Sequence, residues 1–174
     1  HHSVAVLDSN TELETQMIVL AIGVKPNSQL AKDANLEVNQ RGGIVVDDYL
    51  MSSDPSIYAI GDAVEINDYV LDKRTMIPLA GPANKQGRIA ADNIIGGNRV
   101  KYPGTIGTSI AKIFDQTVAT TGYNEKGLNR IGLKYKDDYL KVLIHPNSHA
   151  GYYPGALPMS IKLIFDKQGK VLGS

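Results

Sequence analysis

The stretch "SIYAIGDAVE", residues 56–65, decides how this chain is read. Its apolar run, residues 57–60, has the character of a buried strand and stops abruptly at Gly61 and Asp62. An Asp placed where strand passes into loop occupies the position at which open α/β sheets bind ligands. Two readings are open at this point: Asp62 holds a ligand, or it caps a turn.

The chain around it has 174 residues, a length of about one or two domains. Hydrophobic residues make up 43% and charged residues 21%, enough apolar content for a real core. The formal net charge is zero and no basic block occurs, which argues against a nucleic-acid partner. No apolar run approaches the roughly 18 residues of a membrane span, and no basic-then-apolar leader opens the chain. Cytoplasmic origin is therefore the default expectation. The absence of cysteine excludes disulfides, thiolate metal sites and cysteine catalysis within these residues. His1, His2 and Ser3 resemble the stub of an affinity tag. The chain opens in a strand pattern and closes on "LIFDKQGKVLGS", a strand, a turn and a second strand cut short, so a fragment of a longer protein is expected.

Residues 4–7 and 16–22 read as strands joined by a polar turn at 8–10, the second being apolar throughout as in a strand buried on both faces. A short helix is expected from Ser28, and a short strand over 44–46. Residues 83–96 predict a helix ended by Gly96 and Gly97, with Ala83, Gly87, Ala90, Ala91 and Ile94 forming a small-residue face. Residues 98–104, "NRVKYPG", read as a linker. Beyond it come "SIAKIF" and "TVATTG" as a hairpin, a helical turn in "NEKGLN", a strand pair in "LKYKDDYLKVLIH" around Asp137 and Asp138, and the strand "MSIKLIF". Consecutive strands with short turns predict an antiparallel sheet.

In this order, "VLAIGVKPN", "GGIVVDDYLMSSDPSIYAIGD", "PLAGPANKQGRIAADNI" and "GTSIAKIFDQTVATTGYNE" closely resemble the flavin-dependent pyridine nucleotide–disulfide oxidoreductases. "HAGYYPGALPMSIKLIFD" is similar to their coenzyme A disulfide reductase and NADH oxidase branch, which includes persulfide reductases. The resemblance implies a mixed α+β fold, with a partial FAD/NAD(P)-binding α/β segment followed by a truncated antiparallel-sheet dimerisation (interface) domain. Residues 1–100 would hold the end of the nucleotide-binding domain and the second segment of the FAD-binding domain. Residues 101–174 would begin the C-terminal dimerisation domain. The family's glycine-rich GxGxxG turn and its redox cysteine have no counterpart in this sequence.

The resemblance also assigns roles. Asp62 would accept hydrogen bonds from flavin ribityl hydroxyls, a task suited to an acceptor-only carboxylate, and Gly61 would let the chain turn beside it. Leu79, Ala80 and Gly81 would lie near the isoalloxazine at a helix N-terminus, whose partial positive charge favours negative charge on the ring. Pro82 suits a first helical position. Gly23 and Pro26 would shape backbone near FAD. One of Tyr152 and Tyr153 would reach the partner subunit's active site and hydrogen-bond a thiolate or substrate sulfur, the other serving packing. The parent would be a homodimer passing electrons from NAD(P)H through FAD to a disulfide, coenzyme A disulfide or a related persulfide, or, as an NADH oxidase or peroxidase, to oxygen or peroxide. Alone, the chain would be an inactive dimerisation module. His145 and His149 lack a third ligand at suitable spacing, so no metal is expected; His149 is a candidate substrate contact. Asp47, Asp48, Asp137 and Asp138 read as solvated turns.

Overall fold

The computed structural model describes residues 3–174; the tag-like His1 and His2 lie outside the described residues. The chain opens with an antiparallel ribbon of β1 (Ser3–Val6) and β2 (Glu12–Thr15). Residues 16–22, expected as a buried strand, form none, and Leu20 and Ile22 are 80% and 90% exposed. An apolar run becomes a buried strand only when neighbouring strands pair its backbone and layers cover its faces. No strand among the described residues lies beside it.

Helix α1 (Gln29–Asp33) follows Ser28 as the spacing predicts. Strand β3 (Ile44–Val45) pairs parallel with β4 (Val64–Asp68), and β4 pairs antiparallel with β5 (Lys73–Thr75). The strand expected over 57–60 is instead an extended stretch joined to the preceding turn by a single bridge, Met51 to Tyr58. Its hydrogen bonds run locally: Ser52 N–H donates to Ile57 O at 2.8 Å, and Ala59 N–H to Leu50 O at 3.0 Å. The true strand begins beyond Asp62, where Val64, Ile66 and Asp68 alternate inward. Asp62 therefore precedes a strand rather than ending one. It sits in a 3₁₀ turn, Gly61–Ala63.

Helix α2 (Ala80–Gly96) begins earlier than the expected 83 and ends on Gly97 at φ 74°. Its buried residues are Gln86, Ala90 and Asn93. Of the expected small-residue face, Ala90 is buried and Ala83 and Gly87 are half-buried, but Ala91 and Ile94 face solvent. The helix is turned because two polar side chains find partners inward. Asn93 Nδ2 donates to Tyr49 O at 3.0 Å and Val100 O at 2.9 Å, and its Oδ1 accepts from Val100 N–H at 2.9 Å. Those bonds also dock residues 98–104, so the expected linker is packed. Tyr102 is buried and its N–H donates to Asp48 O at 2.7 Å. Gly104, at φ +93°, lies so close to Asn67 O that a Cβ would collide with it.

In the second half, β6 (Ser109–Ile113) and β7 (Gln116–Thr120) form the expected hairpin, closed by Phe114 and Asp115. Helix α3 (Glu125–Arg130) is capped by Asn124, whose Oδ1 accepts from Gly127 N–H at 2.8 Å. Strands β8 (Tyr139–Ile144), β9 (Ile161–Asp166) and β10 (Val171–Gly173) form an antiparallel sheet in the order β10-β9-β8. The first strand expected near Asp137 and Asp138 is absent. Asp138 Oδ2 accepts from Lys134 N–H at 2.8 Å, so a side chain folds the backbone into a turn where a ladder would otherwise run.

Two apolar clusters result. Val46, Leu50, Val64, Ile66, Ala90 and Tyr102 form the first; Val70, Leu128, Tyr139, Ile164 and Leu172 form the second. Each draws a residue from across position 100: Tyr102 joins the first and Val70 the second. The chain is thus a mixed α/β structure whose later sheets are antiparallel. No helix among the described residues is long and apolar enough to cross a membrane.

Candidate functional site

Gly61 begins the site. Its φ is +87°, in the left-handed region that a side chain strains, although a Cβ here would meet nothing within 4 Å. Backbone conformation, not crowding, therefore requires glycine. Its N–H donates to Gln86 Oε1 at 2.7 Å, joining the 3₁₀ turn to the side of α2. Asp62 then projects as an exposed residue at a cavity of about 380 Å³. Lys25, Pro26, Arg41, Ile60 and Pro78 are among the other residues lining it. One carboxylate and two cations thus line largely apolar walls, chemistry suited to an amphipathic ligand bearing hydroxyl and anionic groups.

The other sequence-predicted residues are divided. Pro26 lines the Asp62 cavity; Gly23, at φ +81°, lies just before that segment. Leu79 is the N-cap residue of α2 and is half-buried, with no side chain capping the helix. Ala80 and Gly81 are exposed on the first turn, and Pro82 is third in the helix, still where an N–H has no helical partner. Gly81 opens onto a different cavity, of about 340 Å³, with Lys85, Tyr102 and Thr105. Leu79, Ala80 and Gly81 therefore do not share the Asp62 cavity. What links the two places is the Gly61–Gln86 bond and the segment at Pro78.

Tyr152 and Tyr153 lie on the loop joining β8 to β9, 85% and 65% exposed. Their ring centroids are 5.5 Å apart at 46°. The loop is closed at its base: Ser148 N–H donates to Leu157 O at 2.8 Å, and Met159 N–H to Pro146 O at 2.8 Å. His145 Nδ1 and Ser160 Oγ are 2.9 Å apart, while His149 Nδ1 lies 3.2 Å from Ser148 Oγ. No group of three metal-ligating side chains occurs among the described residues. Asp47 bonds its own turn, its Oδ1 accepting from Tyr49 and Met51 N–H at 2.8 and 2.9 Å. Asp48 pairs with Lys101 at 3.0 Å.

The groups with shifted titration lie away from the cavity. Hydrogen bonds from Lys141 and Lys162 hold the Glu125 carboxyl below the usual carboxylate range. Burial, with a hydrogen bond to Asp68, pushes the Tyr123 phenol up to about 12. The sequence reading missed Gln86, Lys25 and Arg41. Gln86 had a signal: it is the polar residue four before buried Ala90, on the packed stripe of an otherwise small-residue helix. Lys25 and Arg41 had none, since only the fold brings them to Asp62.

A family model described as pyridine nucleotide-disulphide oxidoreductase matches residues 1–87. The chain superposes on the crystal structure of reduced Bacillus anthracis CoADR-RHD with a TM-score of 0.86 at 54% identity, over 98% of this chain and 30% of that one. The coenzyme A disulfide reductase of Staphylococcus aureus (strain JH9) is 32% identical over 88% of this chain and 34% of its own length. The NADH oxidase of Methanocaldococcus jannaschii is 34% identical over 92% of this chain and 34% of its own length. The chain thus spans about a third of the length of the proteins it matches.

Proposed function

From the premise that this chain belongs to the pyridine nucleotide-disulphide oxidoreductases, we propose that it is part of a flavoprotein carrying electrons from NAD(P)H through FAD to a disulfide. The acceptor is coenzyme A disulfide or a related persulfide, in keeping with the S. aureus relative's name. The observation that carries this reading is the Asp62 carboxylate at the mouth of its cavity, behind a left-handed Gly61.

The donor set fits the cofactor. Asp62 accepts from ribityl hydroxyls with two oxygens, while Lys25 and Arg41 offer cations to phosphate. Leu79, Ala80 and Gly81 bring the uncapped start of α2 toward the isoalloxazine, where its N–H groups favour negative charge. When bound, the flavin supplies the hydride-accepting and electron-donating chemistry. These residues contain no cysteine, so the thiolate that disulfide reduction needs comes from outside them. Tyr152 or Tyr153, exposed on a closed loop, presents a phenol to a sulfur at the partner subunit's site in a homodimer.

The proposed layout places the end of the nucleotide-binding domain and the second FAD-binding segment in residues 1–100, and the start of a dimerisation domain in 101–174. The setting is cytoplasmic. A second reading, NADH oxidase or peroxidase, is favoured by the M. jannaschii relative's name. Rapid mixing of the reduced, flavin-loaded protein with coenzyme A disulfide or with oxygen separates the two. Faster reoxidation by oxygen would overturn the first reading. The site itself is tested by flavin content: Asp62→Ala should lower FAD retention after gel filtration, and retention equal to the wild type would refute it.

A further inference from the structure

We infer that Gln86 is a positioning residue that holds the Asp62 turn and helix α2 as one body, an inference that rests on the flavin reading of that site. Gln86 is 1% exposed, an unusual setting for a primary amide. A buried amide is retained where its hydrogen bond does something apolar packing would not. Its Oε1 accepts the Gly61 N–H at 2.7 Å. Gly61 is the residue whose left-handed φ of +87° sets the direction in which the chain delivers Asp62.

The turn's other restraints are its own backbone bond, Val64 N–H to Gly61 O, and the apolar packing of Ile60 beside Gly87 of α2, neither of which fixes the Gly61 N–H. The residue before it, Ile60, caps the 3₁₀ turn with no side-chain hydrogen bond, and a Cβ on Gly61 would find open space. With its carbonyl held by Val64 N–H, Gly61 still has the wide φ range of a glycine on its N–H side. The Gln86 bond selects one value. Gln86 also sits two turns into α2, the helix whose first turn carries Leu79, Ala80 and Gly81. One amide therefore relates the carboxylate proposed for the ribityl chain to the helix start proposed for the ring. Gly81 and Asp62 open onto different cavities; Gln86 connects them through the backbone of Gly61.

The test uses three variants. Gln86→Met keeps length and burial and removes the acceptor. Gln86→Glu keeps an acceptor in the same place. Gln86→Asn replaces the Met variant if that one does not fold. In the 174-residue chain, amide exchange followed by NMR should show the Gly61 N–H exchanging at least about tenfold faster in Gln86→Met, from loss of one hydrogen bond. Amides in the middle of α2 should keep wild-type rates, and Gln86→Glu should restore protection of Gly61. In the flavin-loaded protein containing these residues, Gln86→Met should weaken FAD binding about tenfold, and Gln86→Glu should recover most of it. Uniformly faster exchange along α2, without a Gly61-specific change, would reduce Gln86 to core packing and overturn the inference. FAD affinity unchanged in Gln86→Met, while Asp62→Ala weakens it, would also overturn it and leave the site reading intact. Unchanged affinity in Asp62→Ala would sink the site reading and the inference with it.

Discussion

At the scale of single residues, the sequence singled out Asp62 as the proposed flavin-binding carboxylate, and its structural setting was not legible. Asp62 stood out because an acid followed Gly61 after an apolar run. The expectation that this run was a strand failed, since the backbone of residues 57–60 bonds locally, to Leu50, Ser52 and Asp54. The acid survives that correction because the requirement for glycine at φ +87° is local, and local conformation is what sequence reports best. Asp62→Asn keeps the size and one acceptor oxygen but removes the charge. It should cost about 1–3 kcal/mol of FAD affinity, measured by fluorescence titration of the apoprotein of the proposed flavoprotein enzyme. For Tyr152 and Tyr153, exposure and a shared loop tip are visible, but nothing in the chain separates one phenol from the other. Replacing each by Phe in that enzyme should slow disulfide reduction about tenfold to a hundredfold for one of them, with flavin content unchanged. Stopped-flow rates equal to the wild type in both variants would assign both rings to packing.

At the scale of elements, helices and hairpin strands were legible, while the apolar runs at 16–22 and 57–60 and the first strand near Asp137 were misread. Helix α2 announced itself through its 3.6-residue spacing and its Gly97 stop, and the β6–β7 hairpin through its short loop. Both are closed by neighbours within the same segment. A strand is completed by residues distant in sequence, which explains residues 16–22: the apolar content is present, the pairing edge is not. The orientation of α2 was likewise decided from outside, by Tyr49 and Val100, which give Asn93 its partners. One tie between elements yields a pH-dependent expectation. Glu125 on α3 bridges Lys141 of β8 at 2.6 Å and Lys162 of β9 at 2.8 Å. Its folded pKa lies below its ordinary value, so its stabilising contribution is present above the unfolded carboxylate pKa and is lost as pH falls through the folded one. Glu125→Gln should therefore lower the melting temperature at pH 7. That difference should shrink in calorimetry as pH falls below the ordinary carboxylate range, and a difference independent of pH would refute the electrostatic account.

At the scale of the molecule, two apolar clusters are joined by few contacts, and one is polar. The Tyr123 phenol donates to the Asp68 carboxylate, which is 1% exposed and also accepts from Val70 N–H at 2.8 Å. Tyr123→Phe leaves that buried oxygen without its partner and should cost about 1–3 kcal/mol in urea unfolding. Because the folded phenol's pKa is raised to about 12, the tie is intact below the ordinary tyrosine value and weakens as pH climbs toward 12. A wild-type melting temperature that does not fall above pH 10 would contradict it. The 174-residue chain, without cysteine or a GxGxxG turn, should consume no NAD(P)H with coenzyme A disulfide, as followed by absorbance. By itself the sequence determined the family, the course of α2 and α3, and the antiparallel character of the second half, because ordered motifs, helical period and hairpin turns are written within short spans. Tertiary structure alone decided that residues 57–60 are not a strand, that α2 packs through Gln86 and Asn93, and that Lys25 and Arg41 line one cavity with Asp62. These depend on which backbone offers a partner to a polar group and on which segments the fold brings to one cavity, and neither leaves a period in the sequence to read.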